Sequence, residues 1–180
     1  MGYGRCALNY YTNDKLAIDY FLREGNAVFP PFKGGVVRFA GQTDTHKNYG
    51  IFVVIEARHG VERYVSMSAH LSGLRRWVDN GARAPYDKVM GFAGNTGDPS
   101  IPVGDPHLHQ AFYRNPSYID AGKKGDAPYG GRGLQVVRHH FVGTAAGDRN
   151  GGVYTFGQKP QSDNTCRVSI VCGKGYFISN

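Results

Sequence analysis

Cysteine is scarce in this chain and poorly spaced for cross-linking: Cys6, Cys166 and Cys172 are all there is. The last two flank RVSIV, which reads as one strand, so their Cα atoms stand roughly 20 Å apart, beyond disulfide reach. A bond from Cys6 to one of them is the arrangement left open, and it would strand a third thiol. No C-x-x-C pair occurs, which argues against a cysteine zinc site. Long apolar runs are missing as well. None approaches about 18 residues, so no membrane span is expected. Basic clusters are also absent. The net charge is +7, from 21 basic and 14 acidic residues, and favours polyanionic partners, but the positive residues are scattered and no Lys/Arg-rich 5–8-mer appears. Dedicated nucleic-acid binding is therefore not expected. The first residues, MGYGRCALNYY, lack the basic-then-apolar layout of a signal peptide. Cys6 stands where a myristoylation signal needs Ser or Thr. The start reads as mature or trimmed, or as cytoplasmic.

What is abundant points to sheet. Twenty-six glycines, 12 tyrosines and 10 phenylalanines favour short aromatic strands joined by tight turns. Alternating and β-branched runs recur along the chain: NAVFPPF, GGVVRFAG, GIFVVIEA, ERYVSMSAHL, KVMGFAG, HLHQAFYR, LQVVRHHFV, GVYTFG, CRVSIVC and GYFIS. Gly, Asn, Asp and Pro punctuate them at short intervals, the pattern of an antiparallel, mostly β domain. A helix is conceivable only around DKLAIDYFLRE or LSGLRRWVDNG, and neither holds its period. Residues 116–133 are rich in Gly, Pro and Lys and read as a loop or linker. The expected organisation is a β domain over 1–115, that linker, and a small β extension over 134–180. Hydrophobic content of 41% with 19% charged residues fits an ordinary globular chain.

Seven histidines are present. His46 and His59 read as structural or exposed. His139 and His140, adjacent in VVRHHFV, would point to opposite faces of a strand and make a poor pair. His107 and His109 differ, because in GDPHLHQAFYR they are two residues apart. On a strand they share one face, with Cα atoms roughly 7 Å apart. That spacing suits a zinc ligand beside a catalytic base, and it equally suits two surface histidines. His70 closes another β-branched run, RYVSMSAHL.

These stretches carry a resemblance. SAHLSGL, followed by VMGFAGNTGDPSIPVGDPHLH, resembles the M23 family of zinc metallopeptidases, the lysostaphin-like or LytM-type enzymes that cut peptidoglycan peptides. The shared pattern is an A-H-L strand, a G-x-x-G-x-T-G turn and a P-H-L-H strand. Upstream, AIDYFLREGNAVFPPFKGGVVRFAG and NYGIFVVIEARHGVERYVSMSAHL are similar to the family's Asp-bearing strand, its G-x-V hairpin and its Y-G…H-G…Y-A-H-L stretch. The likeness runs from about Leu16 to Arg114 with the motif order intact. It implies an antiparallel β-sheet core with an open groove, of the duplicated-hybrid-motif type. It also implies a Zn2+ ion held by Asp19 and His109, with proton chemistry by His70 and His107. The implied substrate is a peptidoglycan peptide, hydrolysed outside the cell, in the periplasm or at the cell wall, where a basic protein also meets anionic wall polymers.

One position departs from the pattern. The family has H-x-x-x-D, with a histidine ligand four residues before the Asp, whereas this chain reads KLAID with Lys15 at the histidine position. An ammonium has no lone pair to donate, and only a lysine with a strongly depressed pKa could coordinate. Asp14 is a carboxylate close enough in sequence to substitute. Two readings follow: a working peptidase with an unusual ligand set, or a degenerate, non-catalytic module that binds peptidoglycan or a partner enzyme through its groove.

Overall fold

Two long strands, Glu62–Leu74 and His107–Arg114, are buried along most of their length. The computed structural model describes residues 6–8, 17–32, 34–97, 106–122, 127–130, 134–135, 140–141 and 176–177. Strands β1 (Cys6–Leu8), β2 (Ile18–Phe21), β3 (Ala27–Val28), β4 (Gly35–Gly41), β5 (Ile51–His59), β6 (Glu62–Leu74), β7 (Arg83–Ala84), β8 (Gly91–Ala93) and β9 (His107–Arg114) account for the body of the fold. The main path is β1-β2-β9-β6-β5-β4-β7, antiparallel throughout. Among the described residues the only helical element is a single 3₁₀ turn, Lys47–Tyr49. The mostly β expectation holds. Of the two segments where a helix was conceivable, IDYF is strand β2, and LSGL is the end of β6 followed by turns.

The central strands are apolar on both sides because both sheet faces are covered. In β5, Phe52, Val53, Val54 and Ile55 are all fully buried. Alternation sends Val53 and Ile55 to a core that also holds Tyr20, Phe32, Leu108 and Phe112. It sends Phe52 and Val54 to a second core with Val65, Met67, Ala69 and Ala111. Burying such side chains contributes roughly 1.5–3 kcal/mol each. The first face admits one polar pair, Ser68 opposite Gln110. It is satisfied internally: the Ser68 hydroxyl lies 2.7 Å from Gln110 Oε1, and Gln110 Nε2 donates to the Met67 carbonyl at 2.8 Å.

The second face is closed by chain that follows β9. Strands β10 (Tyr118–Ile119) and β11 (Tyr129–Gly130) pair antiparallel, and Ala127 and Tyr129 are buried in the second core. The Tyr129 ring packs on that of Tyr113 at 5.6 Å. Thr43 and Thr45 tie the neighbouring loop down by donating their hydroxyls to the carbonyls of Ala121 and Gly122. Further on, β12 (Leu134–Gln135) pairs with β9, and β13 (His140–Phe141) pairs with β14 (Tyr176–Phe177). The expected strands GVYTFG and CRVSIVC, and the cysteines Cys166 and Cys172, lie outside the described residues.

Candidate functional site

Strand β9 carries His107 and His109 to the second face, where alternation places both imidazoles. His109 sits between two neighbours: Asp19 of β2 is its direct cross-strand partner on one side, and Ala69 of β6 on the other. Directly opposed side chains share a face and touch. The Asp19 Oδ1 to His109 Nδ1 separation is 2.8 Å, a charge-assisted hydrogen bond, and His107 Nε2 is 3.9 Å from the same oxygen. Burial alone would raise the Asp19 carboxyl. The His109 hydrogen bond, with the attraction of His109, His107 and His70 once they are protonated at low pH, outweighs it and holds the group below its ordinary 3.8.

His70 reaches the same spot by a break in its strand. Along β6, residues 64–69 pair with β9, and from Leu71 onward the strand pairs with β8 instead. At the junction the β5 register jumps from Ile51 opposite Leu71 to Val53 opposite Ser68. Ala69 and His70 therefore face Phe52 together, which is a bulge. His70 takes the left-handed conformation, φ 61°, a region that non-glycine residues seldom occupy and that often marks a functional position. The bulge aims the His70 ring at the two histidines of β9: its centroid is 4.6 Å from that of His107 and 5.7 Å from that of His109. Its Nδ1 lies 2.9 Å from the carbonyl oxygen of Thr96. Burial, with the nearby His109 and His107, pushes its pKa down to about 4, so the ring is neutral at neutral pH.

All four residues singled out in the sequence thus converge on one patch. Asp19 is its most open member, with 24% of its side chain exposed, against 4% for His109. His46, read as structural or exposed, is buried, its ring 6.1 Å from that of Tyr49. Two further residues belong to the patch that the residue-by-residue reading passed over. The Tyr49 ring packs 5.6 Å from His109, and Thr96 contacts His70. Each stands beside a glycine, Gly50 and Gly97, within a quoted motif; that pairing was the available signal. Gly97, at φ 104°, has no room for a side chain, since a Cβ there would collide with Asn48 O and Gly50 N. Gly97→Ala is expected to cost about 2–4 kcal/mol, from conformational strain plus overpacking. A shift of the urea midpoint measures it.

Oxygen and nitrogen donors of this kind suit zinc. The Asp19–His109 pair fits that chemistry. Among the described residues no group of three or more His, Cys, Asp or Glu side chains is placed to hold a metal ion, whereas a catalytic zinc takes three protein ligands. A third donor would have to come from outside them. The Lys15 and Asp14 window lies there.

No curated protein matches the chain. Among solved structures, LytU is 22% identical, covering 72% of this chain and 77% of its own, with a TM-score of 0.47. The catalytic domain of the antimicrobial peptidase lysostaphin from Staphylococcus simulans is 24% identical, covering 72% and 84%, with a TM-score of 0.44. A mutant catalytic domain of the prophage-encoded M23 protein EnpA from Enterococcus faecalis is 20% identical, covering 64% and 78%, with a TM-score of 0.45. The profile of peptidase family M23 matches residues 13–121, more than half of the chain and the whole of the patch. The chain belongs to peptidase family M23.

Proposed function

We propose that this protein is a zinc metalloendopeptidase that hydrolyses peptide bonds in bacterial peptidoglycan, acting at the cell wall. The observation that carries the proposal is the convergence of Asp19, His70, His107 and His109 from three strands onto one partly open patch. In this reading Asp19 and His109 hold the ion, and His70 and His107 handle protons. Zinc, when bound, supplies Lewis acidity toward a peptide carbonyl and acidifies a water. The protein's own share is positional. Asp19, kept ionised by its histidine neighbours, presents a carboxylate at every physiological pH. His70, kept neutral by burial, is ready to accept a proton, and His107, beside it, is placed to deliver one to the departing amine. A basic surface holds the enzyme near anionic wall polymers and does not take part in the chemistry.

A second reading, a non-catalytic module that binds peptidoglycan or a partner enzyme, is favoured by Lys15 at the histidine position. Zinc content of the purified protein and chelator-sensitive clearance of cell walls, with release of new amino termini, separate the two. The peptidase reading expects zinc and lysis. Lys15→His is expected to raise zinc affinity about tenfold or more, read by competition with a chromophoric chelator. Absence of zinc after loading at neutral pH, with no gain from Lys15→His, would overturn the metal assignment.

The same reading divides the chain into a catalytic domain over 1–115, a connecting segment over 116–133 and a β extension over 134–180. Because the buried contacts of β10 and β11 end at Gly130, a chain ending at Gly131 is expected to keep its β-type circular dichroism and cooperative melting. Loss of cooperativity on truncation would make the extension part of the core.

A further inference from the structure

The bulge that aims His70 leaves its strand ladder open, and a single side chain closes it. Ile51 and Leu71 face each other across β5 and β6 just beyond the bulge. The Ile51 N–H donates not to β6 but to the Thr96 hydroxyl, at 3.0 Å, and that hydroxyl donates to the Leu71 carbonyl, at 2.7 Å. One hydroxyl, donor and acceptor at once, thus bridges a backbone N–H and a backbone carbonyl in a part-buried setting, where an unmade hydrogen bond is costly. The carbonyl of the same residue meets His70 Nδ1 at 2.9 Å. A carbonyl only accepts, so the proton of a neutral His70 ring must sit on Nδ1, and Nε2 carries the lone pair. Thr96 is held against this junction by glycines. A Cβ at Gly50 would collide with Thr96 itself, and one at Gly97 with the Asn48–Gly50 backbone.

We propose that Thr96 is a positioning residue: its hydroxyl clamps the β5–β6 bulge, and its carbonyl sets the tautomer of His70, leaving Nε2 as the atom available for proton transfer. The assignment deepens the peptidase reading and rests on it for its functional meaning, but the tautomer is a property of the folded chain alone. Thr96→Val keeps the shape and removes both hydroxyl hydrogen bonds, letting the loop carbonyl drift from the imidazole. Thr96→Ser keeps them.

The test is a long-range ¹⁵N–¹H correlation spectrum of histidine-labelled, metal-free full-length protein at neutral pH. Wild type and Thr96→Ser are expected to show His70 with a protonated Nδ1 and a pyridine-like Nε2. Thr96→Val is expected to show a mixture of tautomers, and its rate of wall clearance should fall by about 10- to 100-fold, the range for residues that orient a functional imidazole. Thr96→Ser should stay close to wild type. An Nε2-protonated His70 in wild type overturns the proposal, and so does an unchanged His70 signature in a folded Thr96→Val. Should Thr96→Val not fold, the wild-type spectrum still decides. If wild type clears no walls while its His70 shows the Nδ1–H form, the peptidase reading fails and the positioning assignment stands.

Discussion

Replacing His107 by Ala, or His70 by Asn, is expected to lower the rate of wall clearance by about 10²–10⁴-fold, the contribution usual for a positioned acid–base group, and to leave zinc content unchanged. Replacing Asp19 or His109 by Ala should instead release the zinc, with activity following. The contrast is the informative part, because four substitutions within one patch are expected to fall into two classes. Geometry motivates the split: Asp19 and His109 join by their donor atoms at 2.8 Å, whereas His70 is held through its Nδ1 by a backbone carbonyl and offers only its far nitrogen. Asn is the better probe at position 70. It tolerates the left-handed conformation that His70 adopts at φ 61° better than Ala does, so a functional loss is less blurred by a folding one. Zinc measured by elemental analysis, alongside turbidity loss and circular dichroism, separates the outcomes. Zinc lost from the His70 or His107 variant would reassign that residue as a ligand. Activity retained in both would remove them from the mechanism.

Metal-free protein is expected to lose about 3 kcal/mol of folding stability between neutral pH and pH 4. His70 accounts for it. In the unfolded chain its imidazole titrates near 6.5, but in the folded protein burial, reinforced by His109 and His107, depresses that to about 4. Between these values the unfolded state binds a proton that the folded state refuses, so stability falls as pH drops through 6.5 and levels off near 4. At about 1.4 kcal/mol per tenfold difference in proton affinity, the interval corresponds to about 3 kcal/mol. Asp19 adds a second loss of the same sign at lower pH. Its carboxyl lies below 3.8 in the folded state, so the stability it contributes disappears only as pH falls past that value. Urea titrations at several pH values, with chelator present, measure the profile. His70→Asn should flatten the segment between 6.5 and 4 and leave the acid limb in place. A parent protein equally stable at pH 7 and pH 4.5 would show that His70 is not held neutral by burial.

The strand content was open to view in the sequence, because alternation and β-branching are local properties. GIFVVIEA and ERYVSMSAHL announce β5 and β6, and HLHQAFYR announces β9, since neighbouring side chains alone decide such runs. The motif order also pointed to His70, His107, His109 and Asp19, and the spacing of His107 and His109 was enough to place both on one face. Local pattern could not say that Asp19 would lie opposite His109. That pairing depends on the β2–β9 register, a contact between residues 90 positions apart in the chain. Nor could it say that both faces of β9 would be covered, or turn Ala127 and Tyr129 inward over the second face, because burial there depends on how later chain folds back over the sheet. The bulge at His70 is the clearest case. Nothing in YVSMSAHLSGL marks where the strand changes partner, and no glycine signals the positive φ. Its partners come from far off: Thr96, in a loop 26 residues away, meets the His70 ring through its carbonyl and bonds the Ile51 N–H and the Leu71 carbonyl through its hydroxyl. The sequence by itself determined the strands and picked out the four residues that meet in the patch; the tertiary structure alone decided which of their atoms face each other, because hydrogen bonds across strands are set by register and loop closure and not by the residues adjacent in the chain.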